Sequence, residues 1–170
     1  TIEADDEYQI SDVLVDGAES SGVVARFVSL PLDKLEAGEE ETGYQNRIVL
    51  TEGRYPQEPG EVAVLSSQYG GVPVGTSFTL SADNEDLSET LAADTFTVVG
   101  IADSSYYMSV EQESSTVGNG SVSLTFFTGE NSFAYSAYTE AYVLVEGAKE
   151  LDTFSDQYEE AVSRVEDALE

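Results

Sequence analysis

Apolar positions in this chain recur mostly with a period of two, and only near the C-terminus with a period near 3.6. Val13 to Val15 starts a strand that ends at an Asp16-Gly17 turn. Val23 to Leu30 reads as a strand with Val24, Val28 and Leu30 on one face and Ala25 and Phe27 on the other. Arg26 shares the first face, so the strand is expected near a sheet edge, or with that charge paired to an acid. Pro31 suits the start of a short helix with Leu32 and Leu35 on its apolar side, and Gly38 and Glu39 to Glu41 weaken it. Arg47 to Leu50 and Glu61 to Leu65 are strand runs joined by turns at Gly53, Pro56, Pro59 and Gly60. Ser66 to Tyr69 fits one helical turn. Ser77 to Leu80 is a strand entered from a Pro73-Val74-Gly75 turn, and residues 82–94 read as an acidic hairpin tip.

Thr95 to Ala102 is the most strand-like run, and its Phe96/Val98 and Val99/Ile101 pairs predict burial on both faces. Val117 to Phe127 reads as a hairpin arm turning at Gly118-Asn119-Gly120. Glu140 to Glu146 carries apolar residues on both faces and is expected to be a central strand. Leu151, Phe154, Tyr158, Ala161, Val162, Val165 and Leu169 recur at spacings of mostly three and four, which predicts a long terminal helix. Asp152, Thr153 or Ser155 would cap it. Strands followed by one long helix make an α+β pattern.

A chain of 170 residues suits one domain or two small lobes sharing a core. Its 34 acids against 6 bases give a net charge of −28. Such a surface repels nucleic-acid phosphates and anionic headgroups, so nucleic acid is not an expected partner. The acidity reads either as a solvated surface or as an attraction for a cationic ligand or metal. Cys and His are absent, which removes disulfides, thiolate chemistry and the commonest general base. No run reaches the roughly 20 apolar residues of a membrane span, and no signal peptide is visible.

The chemistry-bearing patterns are sparse. No G-x-S-x-G elbow occurs, and no Lys-Ser/Thr follows Gly70-Gly71 or Gly118-Asn119-Gly120 to make a phosphate loop. Asp83, Glu85, Asp86 and Glu89 lack the glycine and spacing of a calcium loop and read as solvated surface. No catalytic residue, metal ligand or cofactor is therefore expected. Arg54, among Glu52, Glu58 and Glu61, either fixes its turn through an ion pair or contacts a partner. Tyr106, Tyr107 and Met108 either pack inward or form an exposed patch that touches a partner.

The order of these elements carries a resemblance. Glu52, Gly53, Arg54 and Pro56 are followed by Pro59 and Glu61 to Val64, then by Val74, Gly75 and Thr76, then by Val98, Val99, Gly100 and Ile101. This succession resembles the extracytoplasmic core domain of MacB-like, FtsX-type ABC transporter permeases. The stretches SSTVGNGSVSLTFF and AYTEAYVLVEGAKELDTFSDQYEEAV are similar to the distal half of Gram-positive members, so the likeness runs over roughly residues 47–169.

The resemblance implies a non-catalytic domain on the extracellular face of the bacterial plasma membrane, inserted between two transmembrane helices of one permease. Its implied partners are those helices, a cytoplasmic ABC ATPase and a second permease copy. It implies a membrane-proximal α/β lobe of the βαβ type from residues 1–46 and 136–170, and an inserted strand-rich lobe from 47–135. Glu52, Gly53, Arg54, Pro56, Gly75 and Gly100 would be structural motif residues. Two rival readings stay open: a secreted acidic binding module for cationic peptides, and a surface hydrolase with two carboxylates of separated pKa.

Overall fold

The computed structural model describes residues 6–17, 19–36, 46–67, 71–107 and 113–169. Its strands are β1 (Asp6–Tyr8), β2 (Ile10–Asp16), β3 (Val23–Leu30), β4 (Ile48–Gly53), β5 (Glu61–Leu65), β6 (Ser77–Leu80), β7 (Thr95–Ser104), β8 (Leu124–Gly129) and β9 (Glu140–Tyr142). Its helices are α1 (Leu32–Glu36), α2 (Leu87–Thr90) and α3 (Asp156–Leu169). The class is α+β, as the periodicities imply.

Seven strands pair in the order β4-β7-β5-β8-β3-β2-β6. β6 also pairs with β7, through Phe78 opposite Phe96, so β7, β5, β8, β3, β2 and β6 close into a ring. β3–β8 and β5–β7 run parallel, and the other pairs in the ring are antiparallel. β4 lies outside the ring along the C-terminal half of β7. Closure leaves the ring strands paired on both sides, which removes most of the exposed edge an open sheet would present. β2 and β3 from the N-terminal part of the chain therefore share one sheet with β4 to β8. β1 and β9 form a separate two-stranded sheet.

The ring interior is filled by alternate residues of its strands. Val13, Val15, Ala25, Phe27, Val62, Val64, Phe78, Leu80, Phe96, Val98, Leu124 and Phe126 form one buried cluster. The Phe27 ring lies 4.7 Å from Phe96 and 5.2 Å from Phe126. Each such buried phenylalanine contributes about 1.5–3 kcal/mol. A surface ion pair contributes at most about 1 kcal/mol, so this cluster dominates the stability. A second cluster on the outer face joins Val28, Leu30, Ala63, Leu65 and Phe127 to Tyr8, Leu35, Ile48 and Ala102.

β3 has the expected bounds but lies inside the sheet, between β8 and β2. Its charge is met by the other expected route. The Arg26 guanidinium forks onto the Asp12 carboxylate directly across the strand pair, at 2.8 and 3.0 Å, and also pairs with Glu113. Those partners hold the Arg26 pKa above its ordinary value, the Asp12 hydrogen bonds most of all. Arg26 also donates to the Ser114 carbonyl at 3.1 Å, which ties the segment before β8 to this face.

Four expectations change. In β7, Phe96, Val98, Gly100 and Ala102 are buried but Val99 and Ile101 are only half-buried, and a register shift opposite Val62 and Ala63 breaks the simple alternation, so that Phe96 and Val98 belong to the interior cluster and Ala102 to the outer one. Glu140 to Glu146 is not a central strand. β9 spans only Glu140–Tyr142, its one ladder is with β1, and Leu144 beyond it is exposed. Residues 82–94 form more than a tip. They hold α2 and the buried Leu91, which bridges to Phe133, and the Asn84 amide accepts from the Leu14 N–H and donates to the Leu14 carbonyl, both at 2.7 Å.

Finally, the terminal helix begins at Asp156, so Leu151 and Phe154 precede it, and none of its residues is buried. Ser155 caps it, accepting the Tyr158 N–H at 3.2 Å. The expected turn at Ser66 to Tyr69 runs past the described residues, and Gly38 and Glu39 to Glu41 lie outside them.

Candidate functional site

The motif that spreads across the sequence is one clasp around β7. β4 continues past Leu50 through a bulge at Thr51, so that Glu52 lies opposite Ile101 and Gly53 opposite Gly100. Gly53 has a φ of +75°. A Cβ on it would sit 2.2 Å from the Val99 carbonyl oxygen. A Cβ on Gly100 would sit 2.3 Å from the Arg54 carbonyl oxygen. The two glycines thus permit one reciprocal close approach, sealed by the Arg54 N–H donating to Val99 at 3.0 Å.

The remaining motif residues bind the same strand. The Gly75 N–H donates to the Val98 carbonyl at 2.8 Å, and the Val98 N–H donates to Thr76 at 2.8 Å. Glu61 pairs with Thr97, whose N–H donates to Gly60 at 2.8 Å. Pro56 is buried, whereas Glu52 is exposed.

Arg54 forms a two-pronged pair with Glu61, one arm at 2.8 Å. The same carboxylate accepts the backbone N–H groups of Gln57 and Glu58 at 2.9 and 3.2 Å. Glu61 is thereby pulled to a pKa of about 2, chiefly by its hydrogen bonding with Arg54, with desolvation opposing it and the Gln57 and Glu58 backbone donors adding smaller pulls. Arg54 also donates to the Tyr55 carbonyl, at 3.1 Å. Of the three neighbouring acids, Glu61 supplies the ion pair that holds the turn.

A different region gathers aromatic side chains. The Tyr106 ring stands nearly perpendicular to Tyr107 at 4.9 Å and to Tyr142 at 5.9 Å. Tyr142 meets Tyr8 edge-on at 5.5 Å, and Tyr107 meets Phe127 at 6.1 Å. A cavity of about 20 Å³ lies among them, lined also by Glu140, Asn46 and Ser104. The Tyr142 hydroxyl donates to the Glu140 carboxylate at 3.1 Å. Burial raises the pKa of the Tyr142 and Tyr107 phenols, Tyr142 also through its bond with Tyr106 and Tyr107 through the nearby Glu113, so both stay neutral at physiological pH. Tyr106 remains 48% exposed. Of the expected patch, Tyr107 packs inward, Tyr106 faces out, and Met108 lies outside the described residues.

Tyr8 and Tyr142 were not singled out from the sequence. They reach the cluster only because β1 pairs with β9, a contact between distant parts of the chain that local periodicity does not encode. A further concavity of about 280 Å³ holds Asp6, Glu7, Asp33, Lys34, Glu130 and Tyr138, with the Lys34 ammonium 3.1 Å from Asp6. Among the described residues no group of three or more acids is placed to hold a metal ion, and no helix is long and apolar enough to cross a membrane.

These features define an α+β domain in which most of the motif residues gather around β7. The sequence matches no protein-family model, and no curated protein matches it. Among solved structures, the chain is similar to the periplasmic region of MacB from Actinobacillus actinomycetemcomitans, with 10% identity and a TM-score of 0.42. That likeness covers 96% of this chain and 65% of the MacB region, so the chain spans about two thirds of its length.

Proposed function

We propose that this chain is a non-catalytic extracytoplasmic domain of a MacB-like ABC transporter permease, standing on the extracellular face of the bacterial plasma membrane. The observation that carries the proposal is the antiparallel pairing of β1 with β9, Asp6 opposite Tyr142 and Tyr8 opposite Glu140. It brings the first and last described strands side by side. A domain inserted between consecutive membrane helices must leave close to where it enters. The order of the motif elements, all gathered on β7, supports the same reading.

In this reading ATP is hydrolysed by a separate cytoplasmic ATPase, and the permease acts as a pair. Of the lobe assigned to residues 1–46 and 136–170, β1, β9 and α3 lie nearest the membrane, while its β2 and β3 stand further out, in one sheet with β4 to β8. α3 couples movement of a membrane helix to the strand-rich sheet through the chain that joins it to β9. The test is mechanical. A Gly-Ser-Gly insertion between Thr153 and Phe154, ahead of α3, is made in the full-length permease with its ATPase present. The proposal expects ATP hydrolysis to continue while transport is lost. Transport at the parent rate would overturn the transmission role.

A further inference from the structure

The tyrosine cluster has three properties that belong together. It surrounds a cavity, three neighbouring pairs of its tyrosine rings meet nearly at right angles, and a carboxylate lines the same space. Tyr8, Tyr106, Tyr107 and Tyr142 line the space with Phe127 and Glu140. The rings of Tyr106 and Tyr107 meet at 81°, those of Tyr106 and Tyr142 at 88°, and those of Tyr8 and Tyr142 at 83°. Walls at right angles allow π faces to approach one enclosed group from more than one side.

We propose that this cavity is a binding site for a primary ammonium head carried on an alkyl stem, held by the tyrosine faces and the Glu140 carboxylate. An ammonium within about 6 Å of a ring centre is attracted by the ring quadrupole. Glu140 accepts one hydrogen bond from Tyr142, and a carboxylate has about four acceptor sites, so capacity remains for the cation. Size selects the head group. The space of about 20 Å³ exceeds the 10–15 Å³ or so needed for one water, and –NH3⁺ is close to water in size. A guanidinium or a trimethylammonium is larger. The surrounding charge of −28 favours arrival of a cation but does not choose its site. The proposal stands whether or not the domain belongs to a permease.

The test is calorimetric titration of the chain at physiological salt, which screens the diffuse surface field. The probes are N-acetyl-lysine methylamide, its arginine and norleucine counterparts, and cadaverine. Binding of the lysine amide or of cadaverine in the millimolar range or tighter is expected, with the arginine amide weaker and the norleucine amide inert. Preference for the lysine amide identifies a peptide side chain as the source, and preference for cadaverine a free diamine.

Tyr106→Leu is expected to weaken binding about tenfold, while Tyr106→Phe, which keeps the ring, retains it. Glu140→Gln is expected to weaken it about fivefold. Glu166→Gln, the same charge change on α3, should leave it unchanged. Circular dichroism confirms that each variant is folded. No binding of either amine, equal binding of the norleucine amide, or equal losses in Glu140→Gln and Glu166→Gln would overturn the proposal.

Discussion

Replacing Gly53 by alanine tests whether the motif is an architectural clasp. The left-handed backbone at φ +75° costs an L-residue about 1–2 kcal/mol. The added methyl would also stand 2.2 Å from the Val99 oxygen, so β4 must move off β7. That movement breaks the 3.0 Å bond from the Arg54 N–H to Val99, worth about 1 kcal/mol. The expected loss is about 3 kcal/mol, or a fall in melting temperature of about 6–12 °C. Gly22→Ala is the control. Its φ is +64° and nothing lies within 4 Å of the new Cβ, so only the backbone cost of about 1–2 kcal/mol applies.

Gly100 is not at positive φ, so Gly100→Ala isolates the clash with the Arg54 oxygen. Both clashes are relieved by one displacement of β4, so the double variant should lose less than the sum of the two, by about 1 kcal/mol. Urea unfolding monitored by circular dichroism measures all four variants, with an unchanged slope confirming comparability. Equal losses in Gly53→Ala and Gly22→Ala, or strict additivity of Gly53→Ala with Gly100→Ala, would refute the reasoning.

Glu61 should give the stability a signature in acid. Its folded pKa of about 2 lies below the ordinary 4.5, so its contribution is present above pH 4.5 and is lost as pH falls toward 2. For a surface pair that contribution is about 1 kcal/mol, and Glu61→Gln should flatten this part of the urea-derived stability profile between pH 5 and pH 2. Arg26→Met removes the cation between Asp12 and Glu113 and should cost about 2 kcal/mol. Adding Asp12→Leu should recover part of that, and an unchanged deficit would contradict the pairing. Removing residues 152–170 should leave the melting temperature of the chain within about 3 °C of the parent, because α3 buries no residue.

Local patterning read several elements to the residue. β3, β5 and β6 have the bounds that their apolar runs predict: β6 alternates with one face in the ring interior, whereas β3 and β5 are buried on both faces and so read as near-continuous apolar runs. Turn chemistry was equally legible at Gly53, Gly75, Gly118 and Gly120, all of which have positive φ. Non-local pairing was not legible. Ring closure depends on β6 meeting both β2 and β7, through Val15 opposite Leu80 and Phe78 opposite Phe96. Nothing in the sequence of β6 announces a second partner.

The same gap explains β9 and the tyrosine site. Ala141 and Tyr142 look like centre-strand residues, yet among the described residues β9 pairs only with β1, and it brings Tyr142 beside Tyr106 and Tyr8. In α3 the periodicity gave the helix but not its surroundings. An apolar stripe states that a helix has a preferred face, not that this chain covers it.

The most direct measurement of the central claim is the side of the membrane on which the domain stands. The chain has no cysteine, so Ser136→Cys, at an exposed position, introduces a single thiol into it. The full-length protein carrying this change, with the parent as background, is exposed in intact cells to a membrane-impermeant maleimide. The extracytoplasmic reading predicts labelling in intact cells equal to that after permeabilisation. Labelling that appears only after permeabilisation would contradict it.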